Sequence, residues 1–249
     1  MKPTYLITGA ILFLSLTIPA RFAFAQEIGQ ERKAFTGTVG LTHKGVSHIP
    51  SFTLGKPAVI FNLSVGKRKL AFEPRLQFST RGKPWAFLFR LRYRMLQTER
   101  FRLGVVLSPV LSFITSSVTE DDVQRDAIEA RRFIGGQVLS DYSLAKNLNA
   151  GMHYLYSRGI EESTFRNMHF IRFTTRLSNI AVLDEWTVTL NSQVYYLRID
   201  EKEGAYFSPS AVLAKRGFPF SLSAMINRAF RTDVPGDTFL WSASVIYSY

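Results

Sequence analysis

Arginines at every second position are the residues of this chain best suited to chemistry. Arg90, Arg92 and Arg94 alternate with large apolar residues between Trp85 and Leu96. Guanidinium groups carry a permanent charge and donate paired hydrogen bonds to carboxylates and phosphates. Side chains two residues apart on an extended chain point to the same side, so these three would face one compartment. The spacing therefore favours a surface that attracts small anions.

The same period of two runs through most of the chain. Alternation of apolar and polar residues predicts β-strands with one apolar and one wet face. We expect twelve strands, over 35–43, 58–66, 69–80, 85–96, 101–114, 130–144, 147–158, 165–177, 185–198, 204–213, 218–229 and 238–249. Many are close to the ~9–11 residues that cross a bilayer as a tilted strand. The pattern therefore indicates strands that span a membrane.

The links between these strands alternate between long and short. Links such as 44–57 and 115–129 are longer than most on the other side, such as 67–68 and 145–146. Long loops on one side, short turns on the other and an even strand number are typical of membrane barrels. We therefore predict an all-β fold, a closed antiparallel transmembrane β-barrel of about twelve strands (roughly ten to fourteen). Prolines at 74 and 109 are expected to mark bulges or strand ends, and strand 130–144 has no clear apolar face.

The N-terminal region is expected to lie outside the barrel, which takes up 35–249. Lys2, an apolar stretch and the small residues Ala23 and Ala25 have the layout of a cleaved signal peptide over 1–25, followed by a short lead at 26–34. The chain has no cysteine, which excludes disulfides and thiolate chemistry. Its net charge of +12 would suit nucleic acid, but an exported chain is expected to meet anionic solutes or lipopolysaccharide phosphates instead.

The last predicted strand ends on an aromatic residue, with Phe239, Trp241, Val245, Tyr247 and Tyr249 on one face. This pattern resembles the closing strand of Gram-negative outer-membrane β-barrel proteins. The resemblance implies an outer-membrane location, contact with outer-membrane lipid and lipopolysaccharide, and insertion by machinery that binds the C-terminal strand. Aromatic girdles at the headgroup level are expected from Trp85, Trp186, Trp241, Tyr247 and Tyr249.

The inward faces of the predicted strands are rich in arginine. We expect the lumen to be lined by Arg75, Arg90, Arg92, Arg94, Arg102, Arg166, Arg172 and Arg176, with Glu73 as the clearest inward acid. Barrels of ~8 strands are filled by side chains and those of ~16–18 leave a channel, so twelve strands predict a narrow or partly plugged pore. Basic groups in a narrow passage select anions. The leading hypothesis is passive uptake of small anionic solutes, as in the acidic-sugar channels that the chain resembles in strand number and lumen charge.

Two other functions stay open from the sequence. The arginines could pair with carboxylates in a closed lumen, which would leave a structural or surface-interaction barrel presenting loops 44–57 and 115–129. The acidic loop 115–129 could also fold inward as a constriction. The less favoured of the two is an outer-membrane lipid-modifying enzyme. Outer-membrane phospholipases of twelve strands carry a histidine and a serine two residues apart on a lipid-facing strand, but here Ile171 stands two residues after His169. His153 faces the lumen opposite no obvious acid, and no catalytic, metal-binding or cofactor-binding set is expected.

Overall fold

The structure is a computed structural model that describes residues 35–67, 69–120, 123–162 and 164–249. The predicted signal peptide 1–25 and lead 26–34 lie outside these residues. The described chain forms β1 (Phe35–Thr42), β2 (Ala58–Lys67), β3 (Leu70–Ser79), β4 (Pro84–Gln97), β5 (Phe101–Glu120), β6 (Val123–Ala145), β7 (Leu148–Gly159), β8 (Met168–Leu183), β9 (Trp186–Ile199), β10 (Lys202–Lys215), β11 (Phe220–Thr232) and β12 (Phe239–Ser248). A 3₁₀ turn at Pro50–Phe52 lies between β1 and β2.

The twelve strands close into a barrel. Each strand pairs antiparallel with the next, and β1 pairs with β12 from Thr38 opposite Ser248 to Thr42 opposite Ser244. The predicted fold class is therefore confirmed. Longer links such as 43–57, 160–167 and 233–238 lie at one end of the barrel, the loop end, and short links such as 146–147 and 184–185 lie at the other, the turn end. Within the described ranges, no helix has the length and apolar character needed to cross a membrane.

Alternation gives the barrel an apolar outside. Leu91, Tyr93 and Met95 on β4 and Phe173 on β8 are exposed large apolar side chains, while the residues between them face inward. Strand β6 follows the same rule, because Phe133 is buried inside whereas Ile134 and Val138 are exposed outside. The face of this strand is clear only once its neighbours are in place.

Two segments are more regular than the sequence predicts. Residues 115–129 do not form a loop, because β5 and β6 continue their ladder from Thr115 opposite Ile128 to Glu120 opposite Val123. The segment is the outer part of a long hairpin, and a different loop fills the lumen. Strand β8 likewise runs on to Leu183, so the link that follows it at the turn end is short.

The strand prolines interrupt one ladder each without ending a strand. Pairing of β2 with β3 stops between Asn62–Arg75 and Val65–Phe72, beside Pro74, although Pro74 stays opposite Phe89 of β4. Pro109 behaves in the same way, because the β4–β5 ladder has a gap there while the β5–β6 register is continuous. Proline has no backbone N–H, so it cannot donate to the strand on one side, while the ladder with the strand on its other side stays intact. The prediction of strand ends or bulges at these prolines is therefore wrong.

Candidate functional site

One inward carboxylate holds two arginines of the neighbouring strand. Arg92 donates from Nε to Oε1 of Glu73 at 2.8 Å, and Nη1 of Arg90 lies 3.8 Å from Oε2. The antiparallel β3–β4 register brings them together by setting Glu73 opposite Arg90. The side chains of Arg90 and Arg92 keep 34% and 24% of their surface exposed, although they face into the barrel. Water therefore reaches the middle of the lumen.

Arg75 has no such partner. Its Nε donates to Oδ1 of Asn62 at 2.7 Å, and Nδ2 of Asn62 donates to the hydroxyl of Thr38 at 3.1 Å. These three residues are adjacent in register across β3, β2 and β1. Among the described residues no carboxylate oxygen lies within the 4.0 Å ion-pair distance of Arg75. Its charge is oriented by neutral groups and stays unneutralised.

A second polar chain crosses from β8 to β6. Arg172 donates from Nε to Nδ1 of His153 at 2.9 Å, and Nε2 of His153 lies 3.1 Å from Oδ1 of Asp141. Because Nδ1 accepts, the proton of the neutral imidazole is assigned to Nε2, which donates to the carboxylate. The expectation that His153 faces no acid is therefore wrong. This series of hydrogen-bonded side chains ends on the guanidinium of Arg172 rather than on a hydroxyl or thiol, so it offers no nucleophile.

The other predicted lumen arginines divide into two groups. Arg94 follows Arg92 on the inward face of β4, Arg102 lies opposite Asp141, and Arg176 lies opposite Asn149 and Asn191. Arg166 precedes β8 and lines an external groove, so its predicted place in the lumen is wrong. The alternation of β8 does not extend back to Arg166, because β8 begins at Met168.

The link 43–57, the plug loop, folds into the loop end of the barrel. It is closed on itself by hydrogen bonds from Gly45 N to Lys56 O at 2.8 Å and from Leu54 N to Gly45 O at 3.0 Å. The hydroxyl of Tyr195 on β9 donates to the carbonyl of His48 at 2.6 Å. Phe52 contacts Phe133 at a ring-centroid distance of 5.5 Å. The loop is therefore fastened to the inner wall from several strands.

Trp85 fastens the plug loop from a third strand, β4. A register shift lies between Gln77 and Phe78 of β3, so Trp85 is the extra residue of a bulge on β4. The bulge turns it inward, where it is 5% exposed and donates from Nε1 to the carbonyl of Phe52 at 2.9 Å. The prediction of Trp85 as a girdle residue is therefore wrong.

The other predicted girdle aromatics lie on the outside. Trp241 and Tyr247 are exposed, and Trp186 lies on the outward face of β9. Tyr249 packs beside Gly37 and within 5.8 Å of the ring of Phe35, at the turn end. Tyr154 and Tyr196 are also exposed, towards the loop end.

An apolar cluster surrounds the plug loop. Met168, Phe170, Tyr195, Leu197, Tyr206 and Val234 are buried together, and Ile49 of the loop packs against them. Near the loop end the inward positions of β8, β9 and β10 are apolar rather than polar, which is the sequence signal that could have revealed the cluster. A seal of this kind excludes water, so the lumen has a wet, positive middle and a dry loop end.

His48 lies at the boundary between these two regions. The pKa of its imidazole is lowered from 6.5 to about 4. Burial is the largest cause, and the positive charges of Arg172 and Arg75 contribute the rest. The imidazole is therefore neutral at neutral pH. The charges of Arg172 and Arg75 reach His48, so the plug loop lies beside the positive part of the lumen. In the described part of the chain, no group of three or more His, Asp or Glu residues could hold a metal ion.

Comparison with solved structures places this architecture among outer-membrane barrels. The NanC porin matches with a TM-score of 0.51 at 10% identity, over 87% of this chain and 99% of that chain. LpxR from Salmonella typhimurium gives 0.49 at 9% identity and the KdgM porin 0.47 at 8%, each over 86% of this chain and 99% of its own. No protein-family model and no curated protein matches the sequence. The chain has the fold of the outer-membrane β-barrels.

Proposed function

We propose that the protein lies in the bacterial outer membrane and passes small anionic solutes passively through its lumen, with the plug loop as gate. The observation that carries the proposal is the imbalance of charge in the wet middle of the barrel. The arginines there outnumber the carboxylates of Glu73 and Asp141, and Arg75 has no acidic partner among the described residues. Low-dielectric walls focus such a field and concentrate anions.

The plug loop supports a gated passage rather than a permanently open one. Its inner part, 46–55, is held to the wall by two hydrogen bonds to its carbonyls, from Trp85 and Tyr195, and by packing of Ile49 and of the rings of His48 and Phe52. The other contacts of the loop with the wall, such as that of Ser242 with Lys44, lie at its ends. Both ends of the loop continue into strands that pair fully with each other, so the loop could leave without disturbing the β1–β2 ladder. An outward position would connect the positive lumen to the loop end.

The dry seal also favours a second candidate, a structural or surface-interaction barrel whose lumen never opens. The buried cluster around Ile49 is the observation for it. Catalysis is not proposed, because the Asp141–His153 pair ends on Arg172 and no serine follows His169 at the spacing of the phospholipases.

Conductance across planar bilayers separates the two candidates. The chain would be compared with a variant that lacks residues 46–55, in which five residues remain to join β1 and β2. A gated anion pore should give brief openings in the full chain and steady current in the variant, with a reversal potential on the anion side in a KCl gradient. A variant lacking 117–126, the outer part of the β5–β6 hairpin, is the control and should behave as the full chain.

Current that prefers cations in the 46–55 deletion would refute the anion pore. Absence of current from both proteins, with the barrel shown to be inserted and folded, would favour the closed barrel. Folding is checked by the different migration of heated and unheated samples on a gel.

A further inference from the structure

An open groove lies on the outer face of the barrel, at the loop end of β7, β8 and β9. It has a volume of about 480 Å³ and is lined by Arg166, Asn167, His169, Arg198, Asp200 and Glu201. His169 is opposite Tyr156 on one side and Arg198 on the other, all on outward faces. The groove is separate from the lumen, because Met168 and Leu197, the neighbours of His169 and Arg198, are buried inside.

The groove lies where the apolar outer surface ends. Along β8, the outward residues pass from Phe173 and Ile171 to His169. Along β9 they pass from Val194 through Tyr196 to Arg198. Each strand thus changes from aliphatic or aromatic to polar and basic in the same direction. In a barrel that spans a bilayer, this transition marks the level of the lipid headgroups.

Among the described residues, the terminal Nη donors of both groove arginines have no hydrogen-bond partner. Nε of Arg198 donates to the carbonyl of Asp200 at 3.1 Å, and the carboxylate of Asp200 accepts the backbone N–H groups of Arg166 and Asn167 at 3.0 and 2.7 Å. Of the described acids, none has an oxygen within 4.0 Å of either guanidinium. Arg132, farther round the same rim, differs because Glu161 engages it.

Hydrogen bonds also hold the shape of the groove. The hydroxyl of Tyr154 lies 2.8 Å from Nδ1 of His169, and that of Tyr156 donates to Oδ1 of Asn167 at 2.7 Å. The first bond engages Nδ1 of His169, and Nε2 of this lining residue has no partner among the described residues. The lining also holds two acids. The carboxylate of Asp200 is bound by backbone N–H groups, and in the described structure Glu201 forms no ion pair with either arginine, so the guanidinium groups stay available to an anion.

We propose that this groove binds the phosphate of a lipid headgroup in the outer leaflet, between Arg166 and Arg198. Guanidinium groups bind phosphate through paired, charge-assisted hydrogen bonds. The tyrosines below the groove contact the start of the acyl chains, as amphipathic rings do at this depth. Neither the pore nor the plug loop takes part, so the proposal holds or fails apart from the proposed transport.

Native mass spectrometry of the purified barrel in detergent tests the site with bisphosphorylated lipid A as the probe. The variant carries Arg166→Gln and Arg198→Gln, and a charge-matched control carries Arg81→Gln and Arg216→Gln, which lie in other links. We expect the groove variant to lose affinity by about tenfold or more, since each lost contact is charge-assisted. The control should bind as the unchanged barrel does, and Arg198→Lys should retain part of the binding.

Three results would overturn the proposal. Dephosphorylated lipid A could bind as tightly, which would remove the phosphate from recognition. Inorganic phosphate at the same concentration could displace the lipid, which would make the groove a site for a soluble anion. The control could lose as much affinity as the groove variant, which would make the attraction a matter of net charge.

Discussion

Arg75 donates to Asn62, which in turn donates to Thr38, and lies beside Arg90 in the lumen, with no carboxylate oxygen within 4.0 Å of it in the described structure. Replacement by glutamine would remove a positive charge without leaving a carboxylate unpaired. We expect the ratio of anion to cation permeability of the plug-deleted barrel to fall about fivefold, the effect of ~1 kcal/mol of charge–ion attraction. Reversal potentials measure the change, and Arg216→Gln in a turn-end link is the control. An unchanged ratio would mean that Arg75 does not contribute to selectivity.

His48 makes docking of the plug loop dependent on pH. Its pKa is about 4 when the loop is docked, because of burial and of the charges of Arg172 and Arg75, and 6.5 when the residue is free in water. The undocked loop therefore binds more protons between these values, so docking weakens as the pH falls from 6.5 towards 4. Above pH 6.5 docking is at full strength.

The expected result is a higher open probability at pH 4.5 than at pH 7.5, measured by single-channel recording. Trp85 fluorescence would report the same transition, since its indole contacts the docked loop. His48→Gln should remove most of this pH dependence. If the variant keeps the full response, another group is responsible.

The plug loop depends on hydrogen bonds from the barrel wall. The hydroxyl of Tyr195 lies 2.6 Å from the carbonyl of His48, to which it donates, and 2.8 Å from Oδ1 of Asn227. Tyr195→Phe would leave the carbonyl of His48 without this donor, and an unpaired buried group costs about 1–3 kcal/mol. We expect more frequent openings in single-channel records and faster hydrogen exchange at Leu54 N–H.

The neighbouring tyrosine gives a matched control for this change. Tyr196 points outward and bonds Glu203, so Tyr196→Phe removes a hydroxyl from the same strand without touching the loop. Equal opening frequencies in the two variants would show that the Tyr195 hydroxyl does not hold the loop.

Barrel closure depends on the seam between β1 and β12, where Gly37 and Tyr249 exchange backbone hydrogen bonds of 3.4 and 3.1 Å. A Cβ at Gly37 would overlap the Tyr249 ring, so Gly37→Ala must displace the C-terminal aromatic residue. We expect a loss of about 1 kcal/mol of barrel stability, as for overpacking elsewhere. The temperature at which the folded band disappears on a gel should fall. Gly136→Ala is the control, since a Cβ there has open space within 4 Å, and equal effects of both changes would contradict the seam argument.

Strand positions and wall faces follow from local pattern, so most of this barrel could be predicted. Arg90 and Arg92 face inward because of their alternation with Leu91 and Tyr93, and that relation holds wherever the strand pairs. Arg75 and Arg172 were likewise assigned to the inward face from their own strands. The residues that these side chains contact on other strands were harder to predict from the sequence. The contact between His153 and Asp141, for example, depends on the β6–β7 register.

The positions of Trp85 and the plug loop could not be predicted from the local sequence pattern. The alternation of β4 alone predicts Trp85 on the outside, but a bulge against β3 reverses it, and a bulge is a property of two strands. The plug loop has no periodic pattern, and its inward position depends on contacts with β4, β6 and β9 together.

The period of two in the amino-acid order was enough to establish a twelve-stranded barrel with an apolar outside and a basic inside, because each strand carries both faces in its own residues. The inward position of the plug loop was decided instead by contacts distant along the chain, such as Trp85 with Phe52 and Tyr195 with His48. The residues next to each partner in the sequence do not reveal these contacts, because they form only after the strands have closed into a barrel around the loop.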